Sequence, residues 1–120
     1  MANKVVWFDV PANDLERAVG FYTNVLDMKI EEEFPGVAVF SHEDNEVAGC
    51  IFTSDDAESS TAGILVYFNV NGRLQEAVDM VDDFGGIIEQ GPHEIGNFGQ
   101  RALIIDSEGN RIVLHSNTDV

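Results

Sequence analysis

The sequence predicts an α+β fold made of two copies of one β-α-β-β-β unit, and two observations carry that prediction. First, the segment Ala38–Ser54, AVFSHEDNEVAGCIFTS, has the outline of Ala102–Ser116, ALIIDSEGNRIVLHS. In each, an apolar run meets an acidic turn and then a second apolar run ending in Ser. Asp44-Asn45 and Gly109-Asn110 supply the residues that reverse a chain at low cost. Set with Thr53 opposite His115, the two segments lie about half the chain apart, the mark of an internal repeat. Second, each segment is preceded by a strand pattern and then a helical one.

In chain order, Val5–Val10 is β-branched and aromatic and reads as a strand. Val6, Phe8 and Val10 alternate with Val5, Trp7 and Asp9, and Pro11 is expected to end the strand. Asn13 or Asp14 can cap a helix in which Leu15, Ala18, Val19, Tyr22, Val25 and Leu26 recur at three and four. Lys29–Glu33 and Val37–Ser41 read as strands around Pro35-Gly36, and Val47–Thr53 as the fourth strand. Asp55–Ala62, DDAESSTA, is small, polar and acidic, and reads as a linker. The pattern then restarts. Ile64–Val70 is a strand with Leu65, Tyr67 and Asn69 on one face. A helix opens after Asn71-Gly72, carries Leu74, Ala77, Val78 and Val81 on one stripe, and stops at Gly85-Gly86. Ile87–Glu89, Gln100–Ile105 and Arg111–His115 complete the second unit. The expected division is therefore one domain: unit 1 at 4–54, linker 55–62, unit 2 at 63–116. Pro92–Gly99, PHEIGNFG, reads as a loop whose Phe98 serves either as a plug that caps the barrel or an interface, or as a lid over a pocket.

The chain of 120 residues, 44% hydrophobic, is long enough for one small core. No apolar run of 18 residues is present and the N-terminus lacks a signal peptide's apolar core, so a cytoplasmic protein is expected. The single cysteine, Cys50, allows no internal disulfide and no thiolate cluster, and reads as a buried inert thiol. Six basic residues against 22 acidic ones give a net charge of −16. That argues against nucleic acid and anionic membrane as partners. It would steer a cationic ligand inward, unless the acidity is only a solvated surface.

Phe8-Asp9-Val10-Pro11, Asp14-Leu15-Glu16-Arg17-Ala18, Phe21-Tyr22, Val66–Val70 and Asp106–Ser116, DSEGNRIVLHS, together resemble the vicinal oxygen chelate superfamily, also called the glyoxalase/bleomycin-resistance/dioxygenase superfamily. The resemblance covers nearly the whole chain. It implies that each unit curls into a half-barrel cup, that two cups enclose a cavity, and that in many members His, Glu or Gln side chains hold a divalent metal there. On this sequence the implied ligand positions fall at Trp7, Leu65, Val113 and, by the internal repeat, near Ile51. None offers a nitrogen or oxygen suited to a metal, so no metal site of the family's kind is expected.

Two or four residues along the same strands stand Asp9, Thr53, Tyr67, Asn69 and His115. Asp9 and His115 are the candidates for acid–base work, or for ligands to a displaced metal. Trp7 and Tyr67 would form an aromatic wall suited to a planar or cationic ligand, unless they simply fill the barrel. His42 and His93 read as solvated. The candidate ligand-binding set is Trp7, Asp9, Thr53, Tyr67, Asn69, Phe98 and His115. Three functions follow. The first is metal-free binding of a small molecule, in the manner of antibiotic-sequestering relatives. The second is a metal-dependent lyase, isomerase or dioxygenase using a displaced site, lactoylglutathione-lyase-like or dioxygenase-like if an enzyme at all. The third is an oligomerising domain with a filled cavity. A homodimer is expected, because open strand edges and apolar surface call for a second copy.

Overall fold

Helical and alternating patterns fold into two units of the predicted order. The computed structural model describes residues 5–54 and 63–117. The first unit comprises β1 (Trp7–Ala12), α1 (Leu15–Leu26), β2 (Ile30–Phe34), β3 (Val37–Phe40) and β4 (Ala48–Thr53). The second comprises β5 (Tyr67–Asn69), α2 (Leu74–Val81), β6 (Ile87–Glu94), β7 (Gln100–Ile105) and β8 (Arg111–Ser116), with single 3-10 turns at Asp82–Phe84 and Gly96–Phe98. The linker expected at 55–62 lies outside the described residues. The strands form two four-stranded sheets, ordered β1-β4-β3-β2 and β5-β8-β7-β6. In each sheet the strand before the helix pairs in parallel with the last strand, and the other pairings are antiparallel.

Helix α1 starts where Asp14 caps it, its carboxylate accepting from the Arg17 amide at 3.0 Å. It ends at Asp27, which takes the left-handed conformation (φ 52°). Arg73, just before α2, donates to the Val25 carbonyl at 2.8 Å. A cation is thus held at the C-terminal end of α1, where the helix dipole favours it. Gly85, with φ 97°, closes the turn after α2 as expected.

Three boundaries differ from the sequence reading. β1 runs through Pro11 to Ala12, because β1 is a sheet edge, where the missing amide hydrogen costs no ladder bond. The second unit's first strand begins at Tyr67 rather than Ile64; Ile64 is almost fully exposed. β6 continues past Glu89 to Glu94. Its register slips between Ile88 and Gln90 and again between Gln90 and His93, so bulges on an edge strand absorb Pro92. The first three residues of the expected Pro92–Gly99 loop, Pro92 to Glu94, are therefore strand.

One core joins the units. Val10, Ala12, Ile51, Phe68, Val70, Ile104, Ile112 and Leu114 point from the sheets toward Phe21, Tyr22, Val25, Leu74, Ala77 and Val81 of the helices. Phe8, Phe40, Phe68 and Tyr22 pack ring on ring, with centroids 5.3–6.0 Å apart, across the seam between units. The Phe8 ring lies over Gly49, its cross-strand partner, in the space a side chain there would need.

The Asp106–Asn110 turn clamps the units together. Asp106 is 2% exposed. It accepts from the Tyr22 hydroxyl at 2.6 Å and from the amides of Glu108 and Asn110 at 2.8 Å each. Asn110 Nδ2 donates to Asp106 and to the Pro11 carbonyl. Glu108 accepts from the amides of Asn13 and Asp14 and from Arg17 Nε at 2.7 Å. The DSEGN motif is thus a structural tie between the β7–β8 turn and the start of α1. Burial and the Asp106 charge together hold the Tyr22 phenol well above its ordinary range.

Candidate functional site

Because both helices cover one side, each sheet keeps an opposite, open face. Strand alternation decides which residues lie there. In the first sheet Asp9 pairs with Cys50, and Cys50 with Val39, so these three share the open face with Trp7. Trp7 is 45% exposed. Its indole N–H donates to Asp9 at 2.7 Å, and the Cys50 thiol donates to the same oxygen at 3.3 Å. Burial, with the Asp9 carboxylate second, pushes the Cys50 thiol up to about 11, so it stays protonated at neutral pH.

Two expectations about this sheet change. Thr53 pairs with Ala12, which lies on the face of Val10, opposite Asp9. Thr53 therefore does not join the candidate site; its side chain lies 3.7 Å from where a side chain on Gly36 would begin. Ile51 pairs with Val10 and is fully buried in the core. The open-face residue of β4 is Cys50, which is 6% exposed and is the buried, protonated thiol that the sequence reading expected.

The second sheet carries more polar chemistry. Asn69 pairs with His115, His115 with Arg101, and Arg101 with His93. One row of polar side chains thus crosses all four strands of the open face. The adjoining row is Tyr67, Val113, Leu103 and Gln90. The rings of Tyr67 and His115 are 6.1 Å apart. Arg101 Nη1 donates to the Tyr67 hydroxyl at 2.5 Å and its Nε to His93 Nε2 at 3.2 Å. His93 Nδ1 lies 2.9 Å from the Gly91 carbonyl, which can only accept. His93 therefore carries its hydrogen on Nδ1 and accepts at Nε2. By the same logic His115 Nε2, 2.6 Å from the Phe98 carbonyl, is the hydrogen-bearing nitrogen. Gly99 fixes that turn: with φ 96° and ψ −144°, and the Ser116 carbonyl oxygen 2.3 Å from where a β-carbon would sit, only glycine fits. The Phe98 ring is 77% exposed, neither plug nor closed lid in a single chain.

A cavity of about 540 Å³ opens at the seam between the sheets. Phe8, Phe40 and Phe68 form part of its lining, with Leu65 and Val66, and Tyr67 and Asn69 belong to its wall. The paired wall of Trp7 and Tyr67 does not form: Tyr67 lines this cavity and stacks toward His115, while Trp7 stays with Asp9. Asp9 and His115 are likewise not joined by a hydrogen bond, each being held within its own sheet.

The residues at the family's ligand positions do not fit a metal. Trp7 and Val113 do stand on open faces, but an indole N–H only donates and a hydrocarbon offers nothing. Leu65 is likewise a hydrocarbon, and Cys50, in place of Ile51, is engaged as a hydrogen-bond donor to Asp9. Among the described residues no three His, Cys, Asp or Glu side chains converge. Arg101 and His93 are the site residues that sequence reasoning missed. Arg101 could have been found: it sits two residues from Leu103 in a strand pattern, in a chain with only six basic residues.

Paired β-α-β-β-β units whose helices share one side of their sheets, with a cavity at the seam between the units, define a glyoxalase-type fold. The chain belongs to the Glyoxalase/Bleomycin resistance protein/Dioxygenase superfamily, whose family model matches residues 4–114. No curated protein matches the chain. Among solved structures it is similar to a glyoxalase/bleomycin resistance protein from Albidiferax ferrireducens T118, at 18% identity and TM-score 0.81, over 97% of this chain and 100% of that one. A genomically encoded fosfomycin resistance protein from Listeria monocytogenes gives 14% identity and TM-score 0.75, over 98% and 94%. An E144Q mutant of glyoxalase I from Zea mays gives 24% identity and TM-score 0.73, over 93% of this chain and 46% of that one. At these identities the likeness is one of fold.

Proposed function

We propose that this chain binds a small molecule at the cavity between its two units and the adjoining open face, without the metal that the superfamily resemblance implies. The observation that carries the reading is the cavity itself. Its volume of about 540 Å³ falls in the range of small-molecule sites, its lining is mainly apolar, and Asn69 and Tyr67 supply polar groups at its wall. The donor set at the four family positions supports the metal-free part. The filled-cavity reading is less well supported, since Trp7, Tyr67 and Phe98 are 45%, 46% and 77% exposed.

The protein is proposed to work as a homodimer. Phe34, Ile87 and Phe98 are each at least 60% exposed, and a second copy would cover such surface.

A thermal-shift screen of small polar and aromatic compounds, run in EDTA, tests the binding reading. A ligand present at a hundred times its Kd stabilises by about 2.7 kcal/mol, which raises Tm by on the order of 10 °C in a domain of this size. The expected result is a compound whose shift is unchanged by EDTA and is lost in Tyr67→Ala. A shift that disappears in EDTA and returns with added divalent metal would instead favour the displaced metal site.

A further inference from the structure

We infer that the ligand is an anion with an apolar body, and that Arg101 receives its carboxylate. This deepens the reading above and rests on it. The local charge here opposes the charge of the chain. Of the basic side chains described, Arg17, Lys29, Arg73 and Arg111 each face a carboxylate. Arg101 faces none, in a protein with 22 acidic residues. Its neighbours across the sheet are His93 and His115, and its phenol contact is Tyr67, so no negative group is paired with it.

The guanidinium is held rather than loose. His93, itself fixed by the Gly91 carbonyl, takes the Nε hydrogen, and Tyr67 takes one hydrogen from Nη1. A guanidinium has five N–H donors. One remains on Nη1 and both on Nη2, the side-by-side arrangement that engages two carboxylate oxygens at once. Asn69 and His115 extend the same row toward the cavity wall. Beside the polar row, half-buried Leu103 adds hydrocarbon to the open face, while its partner Val113 is fully buried. The arrangement therefore offers one anion receptor next to hydrocarbon, which describes a monocarboxylate on an apolar or aromatic body. Exposed charges at long range are screened over about 8 Å at physiological salt, so the net charge of the chain slows approach but leaves the local pairing intact.

Phenylacetate, its neutral analogue phenylacetamide and the cation phenethylamine test this in parallel NMR titrations of the full chain, at one ionic strength, with the Arg101 Nε–H signal followed. Phenylacetate is expected to move that signal and to bind at least about tenfold tighter than the amide, as one charge-assisted pair provides. Arg101→Gln should remove the preference for the acid while leaving the fold and residual amide binding in place. Arg101→Lys should keep part of it, since the charge remains and the fork does not. If the amide or the amine binds wild type as well as the acid does, the anion assignment is wrong and the cavity reading survives. If Arg101→Gln keeps the full preference, the assignment to Arg101 is wrong. If none of the three binds wild type, both readings fall.

Discussion

Asp106→Ala is expected to destabilise the fold by about 3–5 kcal/mol, a large part of the roughly 5–15 kcal/mol that holds such a domain together. The carboxylate accepts from the Tyr22 hydroxyl, two backbone amides and the Asn110 side chain, all buried. Removing it leaves several donors without partners, and an unsatisfied buried polar group costs about 1–3 kcal/mol. The effects are coupled and do not add. Denaturant unfolding of Asp106→Ala and Asp106→Asn checks this. The asparagine variant keeps the shape and loses the charge, so it should fall between wild type and alanine. A loss below about 1 kcal/mol for alanine would mean that the tie between the units is not a structural anchor.

Glu108→Gln is expected to cost about 1–2 kcal/mol at neutral pH, and the cost should depend on pH. Burial alone would raise the Glu108 carboxyl. Arg17, the Asp14 amide and the Ser107 hydroxyl outweigh it and hold the group below its ordinary value. A carboxyl depressed by folding contributes stability that is present above its unfolded pKa, about 4.3, and is lost as pH falls through the lower folded value. The difference between wild type and Glu108→Gln should therefore stay level from pH 7 to about 5 and close below about pH 4. Comparing the two proteins at each pH cancels the change in self-repulsion that acid brings to a chain of net charge −16. A difference that persists undiminished at low pH would show that Glu108 acts through shape alone.

The fold was legible because its signals are local. Helical spacing in Leu15–Leu26, the stop at Gly85 and the repeated strand-turn-strand outline each survive in the structure. The turn acids were visible as a motif, but their role was not. Their partners Tyr22, Arg17, Asn13 and Pro11 lie more than 80 residues away in the sequence.

The site was less legible because it depends on register. Matching Thr53 to His115 was one residue out: Thr53 falls on the core side of its sheet, as Ser116 does, and a one-residue slip moves a side chain to the other face. That slip hid Cys50 beside Asp9. His93 was missed because Pro92 reads as a loop residue, whereas an edge strand with two bulges accommodates it. Arg101 was missed because its meaning comes from three strands, β5, β6 and β8, that bring Tyr67, His93 and His115 to it. Asp9 and His115, attractive as a pair on paper, belong to different sheets.

Elemental analysis of protein purified without chelator or affinity tag, after growth with added Zn, Mn, Ni and Fe, tests the central claim most directly. With Trp7, Cys50, Leu65 and Val113 at the family's ligand positions, far less than one metal per chain is expected. A value near one per chain, lost in His115→Ala or Asp9→Ala, would contradict the metal-free reading and place the chain among the metal-dependent members of its superfamily.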